Sequence, residues 1–143
     1  MKEPVDQYDL KRLLRAAQEG LAHAYAPYSG FPVGAAVLTV AGEVFAGCNV
    51  ENAAYPLGLC AEAAALGSMV STVGHRRLRA ALVLIARPAR AWPCGGCRQR
   101  LQEFMEAEAM VYAAGFDLGP IGVPFAQLLP RAFGGHDLAR PTP

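Results

Sequence analysis

Ala80-Ala81-Leu82-Val83-Leu84-Ile85-Ala86, the loop Arg87 to Trp92, and then Pro93-Cys94-Gly95-Gly96-Cys97 form the stretch on which the fold turns. Seven apolar residues in a row suit a strand covered on both faces. Such a strand needs a layer of structure above it and another below. Pro93 is pre-set for a first helical turn, so a helix is expected from there to about Ala107.

Upstream, Leu10, Leu13, Leu14, Ala17, Leu21 and Ala24 recur at helical spacing among Lys11, Arg12, Arg15 and Glu19, which predicts an amphipathic helix over 7–24. Tyr25-Ala26-Pro27-Tyr28-Ser29-Gly30 ends it, because the residue before a proline avoids helix. Val33 to Val40 and Glu43 to Val50 read as strands joined by a two-residue Ala41-Gly42 hairpin loop. Asn49 to Leu59 is irregular, and a helix is expected from Cys60 to about Val73, stopped by Gly74. Further strands are expected at Ala109 to Ala113 and near Leu118 to Val123, with a helical turn at Phe125 to Leu129. Strands alternating with helices, led by a hairpin, indicate an α/β sandwich around a five-stranded mixed sheet.

The 143 residues are expected to form one domain, 1–143, with a core over about 8–138 and a frayed tail at 139–143. The apolar fraction is 53% against 17% charged, with a mean hydropathy of +0.21. In a chain this small, that excess points to surface buried against other copies, the alternative being a chain rich in Ala and Gly that has no sticky patches. A net charge of +1 gives no field for polymeric nucleic acid or acidic lipid. The one cationic cluster, Arg76, Arg77 and Arg79, reads as a solvated turn after a helix. Lys2, Glu3, Asp6 and Asp9 argue against a secretory leader, and no run approaches the roughly 18 apolar residues of a membrane span. A soluble, cytoplasmic protein is the expectation, and there four cysteines serve as ligands, reactive thiols or core residues rather than disulfides.

Cys94 and Cys97, three apart at a helix start, put two sulfurs on one side of the first turn. Unpaired N–H groups and the helix dipole there favour thiolate. Taken alone, this spacing fits a thioredoxin-like redox pair as well as a metal site. Cys60-Ala61-Glu62 opens the other expected helix, and its sulfur completes three ligands with a fourth tetrahedral position left for water. Glu62 beside such a site is placed to move protons, although a glutamate in a first helical turn is also simply stabilised by the dipole. Cys48 reads as a small core residue. If Cys48 or His75 closed the site, the zinc would be structural and the chain a non-catalytic module.

Cys-Ala-Glu followed 34 residues on by Pro-Cys-x-x-Cys-Arg-Gln resembles the three-cysteine form of the zinc-dependent cytidine deaminases, whose general pattern and chemistry are known. Three further segments are similar to the free-nucleoside members: Phe31-x-Val33-Gly34-Ala35-Ala36, Gly47-Cys48-Asn49-Val50-Glu51-Asn52-Ala53 and Leu129-Pro130-x-Ala132-Phe133. The likeness runs from about Ala24 to Leu138.

The resemblance implies a three-layer α/β/α fold and one zinc ion per subunit on Cys60, Cys94 and Cys97. It implies hydrolytic conversion of cytidine and deoxycytidine to uridine and deoxyuridine, in pyrimidine salvage. A zinc-activated water would add at C4, with Glu62 carrying protons to N3 and to the departing amine. Phe31 would pack on the pyrimidine, Asn49 and Glu51 would bond the ribose hydroxyls, and Ala61 would offer its backbone to the base. Tyr55 and Phe133 would reach a neighbouring subunit's site in a homotetramer. Without the family, Phe31 reads as core, Asn49 as turn chemistry and Glu51 as a solvated carboxylate.

Where the family has arginine after Cys-Ala-Glu, this chain has Ala63. Three thiolates on a divalent cation leave one negative charge, and Arg98, next to Cys97, is the cation expected to offset it. The segment Cys60 to Gly67 also resembles blasticidin S deaminases, which makes a modified cytosine nucleoside the alternative substrate.

Overall fold

The computed structural model describes residues 5–138, so the expected tail at 139–143 lies outside the described residues. Helix α1 (Gln7–Leu21) is capped by the Asp6 side chain, which accepts the Asp9 N–H. Strands β1 (Val33–Thr39) and β2 (Val44–Cys48) follow, then a 3-10 turn at Tyr55–Leu57 and helix α2 (Ala61–Val73). Strand β3 (Leu78–Ile85), helix α3 (Gly95–Gln102), strands β4 (Met105–Gly115) and β5 (Leu118–Pro124), a helical turn α4 (Phe125–Leu128) and a 3-10 turn (Gly135–Leu138) complete the order.

The sheet runs β2-β1-β3-β4-β5, with β3 and β4 parallel and the other neighbours antiparallel. It is the expected five-stranded mixed sheet. Because side chains alternate across a strand, Ala36, Leu38, Ala80, Leu82 and Leu84 face α1 and meet Leu13 and Ala17. Val37, Ala81 and Val111 face the other way, onto Ala65, Leu66 and Met69 of α2 and Leu101 of α3. Helices thus cover both faces, giving the three-layer α/β/α sandwich that the apolar run of β3 required.

Four elements differ from their sequence expectation. Helix α1 stops at Leu21 rather than Ala24, because His23 and Ala24 turn back to Gly20 and Leu21, and Tyr25 leaves to bond Asn49. The hairpin loop has three residues, Val40-Ala41-Gly42, closed by the Thr39 N–H to Glu43 carbonyl bond, with Gly42 at a φ of 87°.

Helix α3 ends at Gln102, not near Ala107, and β4 begins at Met105. The residues there, Met-Glu-Ala-Glu-Ala, are good helix formers, but Met105 pairs with Leu78, and Arg77 bonds the carbonyls of Glu103 and Met105 and the Glu106 carboxylate. The arginine cluster is accordingly not a free solvated turn. Arg76 pairs with Glu43 and Arg79 with Asp9.

Two glycines set how closely the helices sit. A β-carbon on Gly34 would run into the backbone of α1 at Ala17 and Leu21. One on Gly47 would run into the backbone of Ala61, Ala64 and Ala65 in the first turns of α2. Replacing Gly47 with alanine must therefore push the start of α2 off the sheet. We expect a loss of about 1–3 kcal/mol in denaturant unfolding together with weaker metal retention, since Cys60 caps that helix. Unchanged unfolding and metal content would show the contact to be unimportant.

Candidate metal centre and active site

Antiparallel pairing on both sides of β1 points the C-terminal ends of β2 and β3 to one edge of the sheet, with β1 running the opposite way between them. The chain leaves β2 at Cys48 and enters α2 at Cys60, and it leaves β3 at Ile85 and enters α3 at Cys94. Cys60 and Cys94 both occupy N-cap positions with extended backbone. Two helix starts, each with unpaired N–H groups and the positive end of a dipole, therefore meet at the same place. Cys97 adds a buried sulfur from the first turn of α3.

The sulfurs of Cys60, Cys94 and Cys97 lie within 4.8 Å of one another, and the Cys60–Cys94 separation is 4.0 Å. Tetrahedral zinc with bonds of about 2.3 Å holds sulfurs about 3.8 Å apart, so the triangle fits that ion closely. Soft thiolates are also the donors that zinc favours over harder cations. Cys48 ends β2 half-buried, and among the described residues neither it nor His75 joins the cluster.

The electrostatics call for a cation. Burial, then the charge of Glu62, pushes the Cys97 thiol far above the usual range. Burial also raises Cys60. Burial opposes ionisation of Cys94, but the Cys97 N–H and the two neighbouring thiols outweigh it, and Cys94 alone sits below the ordinary thiol value. Three thiolates together need a divalent charge among them.

Cys60 and Cys94 open onto a cavity of about 560 Å³, while Cys97 lies behind them. Glu62 lines the same cavity and is only 6% exposed, one of three buried polar or charged residues among those described. Phe31, Asn49, Glu51, Tyr55 and Ala61 line it as well, so the structure gathers every residue of the sequence-derived set in one place except Phe133 and Arg98, with Cys97 just behind the wall.

Asn49 is heavily engaged. Its Nδ2 donates to the Phe31 carbonyl at 2.9 Å and its Oδ1 accepts the Val33 N–H at 2.9 Å, which leaves one amide hydrogen for a ligand. Glu51 accepts the N–H groups of Tyr28 and Ser29 and the Ser29 hydroxyl. The Ser29 hydroxyl, first among these, holds the Glu51 carboxyl below its ordinary pKa. The Phe31 ring carries the Arg87 guanidinium 4.8 Å from its centroid.

Arg98 bonds the carbonyls of Pro93 at 2.7 Å and Leu128 at 3.0 Å, fixing the ligand turn against α4. Phe133 is 56% exposed and stands outside this chain's own cavity, and Tyr55 is 74% exposed at the rim, edge-on to Tyr28. Sequence reasoning missed Tyr28, Ser29 and Trp92 as lining residues. Tyr28 and Ser29 carried only a turn signal, and Trp92 stood next to the metal turn without a pattern to mark its role.

Comparison with known proteins agrees with this geometry. The model of the cytidine and deoxycytidylate deaminase zinc-binding region matches residues 7–114. The cytidine deaminase of Mycobacterium tuberculosis is 42% identical over 132 residues, 92% of this chain and 95% of its own length. That of Sporosarcina psychrophila is 38% identical over 131 residues, 92% and 96% of the two chains. The crystal structure of cytidine deaminase from Burkholderia pseudomallei superposes with a TM-score of 0.79 at 40% identity, covering 86% of this chain and 98% of that one. With its three-sulfur centre and buried glutamate on this sandwich, the chain belongs to the cytidine and deoxycytidylate deaminase family of zinc-binding proteins.

Proposed function

We propose that this protein hydrolyses cytidine and deoxycytidine to uridine and deoxyuridine with release of ammonia, as a soluble, cytoplasmic homotetramer serving pyrimidine salvage. The observation that carries this reading is one cavity lined both by Glu62 and two of the three metal-binding sulfurs, Cys60 and Cys94, and by Asn49 and Glu51.

One zinc ion on Cys60, Cys94 and Cys97 would supply Lewis acidity that brings the pKa of a water down to about 7. Glu62 takes one proton of the attacking water on its carboxylate and passes it to N3 of the ring; it then takes the second, from the oxygen now bonded to C4, and delivers it to the amine, which leaves as ammonia as the C4 carbonyl forms. A single group can serve as both base and acid because its burial beside the sulfurs keeps it near both atoms. Phe31 gives the pyrimidine a flat apolar wall. Ala61, at the first helical position of α2, has an N–H with no partner inside the helix and offers it to the base.

The remaining Asn49 amide hydrogen and the Glu51 carboxylate receive the sugar hydroxyls. Arg98, bonded to the Pro93 carbonyl, places a fixed positive charge at the ligand turn, in the role that the family's arginine would have had at Ala63. The exposed Tyr55 and Phe133 complete the sites of neighbouring subunits, which accounts for an aromatic outside the cavity of its own chain.

Zinc content and cytosine absorbance test the assignment together. Glu62→Gln is expected to keep about one zinc per chain while turnover falls by about 10²–10⁴, and full activity in that variant would remove Glu62 from the chemistry. A panel of cytidine, deoxycytidine and blasticidin S fixes the substrate: turnover of blasticidin S alone would move the assignment to modified cytosine compounds. Arg98→Gln should lower zinc affinity or turnover about 10- to 100-fold. Zinc content and rate both unchanged would leave the metal centre without Arg98 as its partner.

A further inference from the structure

Glu51 does not reach the cavity wall unaided. It follows β2 in an irregular segment fixed by backbone bonds to the turn after α1, the Tyr25 N–H to the Asn49 carbonyl at 3.0 Å and the Glu51 N–H to the Tyr25 carbonyl at 2.8 Å. The side chain then meets the turn itself. Its Oε1 accepts the N–H groups of Tyr28 at 2.9 Å and Ser29 at 3.0 Å, and its Oε2 accepts the Ser29 hydroxyl. That hydroxyl also accepts the Phe31 N–H at 3.0 Å, so both of its hydrogen-bonding senses are in use. Gly30, at a φ of 61°, lets the turn curl back so that the Phe31 N–H reaches the Ser29 hydroxyl.

A carboxylate has about four acceptor sites, and three bonds from the turn fill all but one, on Oε2. From this geometry we infer that Ser29 is a positioning residue for nucleoside binding: it orients Glu51 so that its one free lone pair addresses a sugar hydroxyl, and it ties that orientation to the backbone of Phe31, which faces the base. The inference rests on the cytosine-nucleoside reading given above. Asn49 closes the same network from the other side through the Phe31 carbonyl and the Val33 N–H. The parts of the cavity that meet sugar and base are thus one hydrogen-bonded unit, with the Ser29 oxygen as the link between them. The same hydroxyl, followed by the Ser29 N–H, keeps the Glu51 carboxyl below its ordinary pKa against the opposing effect of partial burial, so it acts as a charged acceptor.

Trp92 is the single tryptophan of the chain and lines the same cavity, so its fluorescence reports nucleoside binding without turnover. The measurement uses zinc-loaded full-length protein carrying Glu62→Gln, titrated with cytidine and with 2′,3′-dideoxycytidine, which lacks the 2′ and 3′ hydroxyls of the sugar. Ser29→Ala is expected to weaken cytidine about tenfold, the scale of a hydrogen bond to a charged group. It should leave the dideoxy compound within about twofold, and Ser29→Thr, which keeps the hydroxyl, should restore cytidine binding. With Glu51→Gln already in place, Ser29→Ala should add little, which isolates the pair even if the single variant is less stable. Equal weakening of both nucleosides, or none, overturns the role of Ser29 while leaving the nucleoside reading intact. Failure of cytidine to bind the protein with Ser29 present overturns both.

Discussion

Three sulfurs within 4.8 Å of one another are a charge problem before they are a metal site. Two of the thiols, Cys60 and Cys97, resist ionisation in this setting, through burial in the first place, with the charges of Glu62 and Cys94 adding to it. The fold answers with geometry. Two helix N-termini converge on the cluster, and β2 and β3 deliver their chains to the same edge of the sheet because β1 runs antiparallel between them. Much else in the molecule follows from keeping those helix starts in place, including the glycine contact between β2 and α2 and the grip of Arg98 on the turn at Pro93.

The cavity divides its labour by chemistry. The soft donors and a buried carboxylate suit proton transfer next to a Lewis acid. Asn49 and Glu51, which line the same cavity, are already bonded to the loops around them and keep few groups free for a ligand. Such groups bind a ligand without first having to be ordered, so little conformational entropy is lost on binding. Phe31, Val83 and Ile85 add apolar surface to the lining.

The fold class was legible because its evidence was local. The apolar run of β3 demanded cover on both faces, and the heptad-like spacing of Leu10, Leu13, Leu14 and Ala17 marked α1 as one of the covers. The start of β4 was not legible, since Met105 to Ala109 favours helix by composition and is drawn into the sheet by Leu78 and by Arg77 far away in sequence. Cys60, Cys94, Cys97 and Glu62 were visible because metal ligands and helix starts leave short-range patterns. Ser29 was not, because its role is set by an acceptor 22 residues away, and serine in a turn is common for reasons unrelated to binding.

The pairing of β1 with β3 has a kinetic consequence. Val33 must find Ile85 across the whole of α2, and only then does the edge exist at which Cys60 and Cys94, 34 residues apart, can meet. Pairings between residues so distant along the chain form slowly, because the loop between them must be closed before any contact rewards it. The ion-holding triangle is accordingly complete only once that long-range pairing has formed. Any ion it captures binds the finished native state in preference to its precursors, and shifts the folding equilibrium by mass action. Metal supply would then govern how much folded protein a cell accumulates as well as how fast each molecule works.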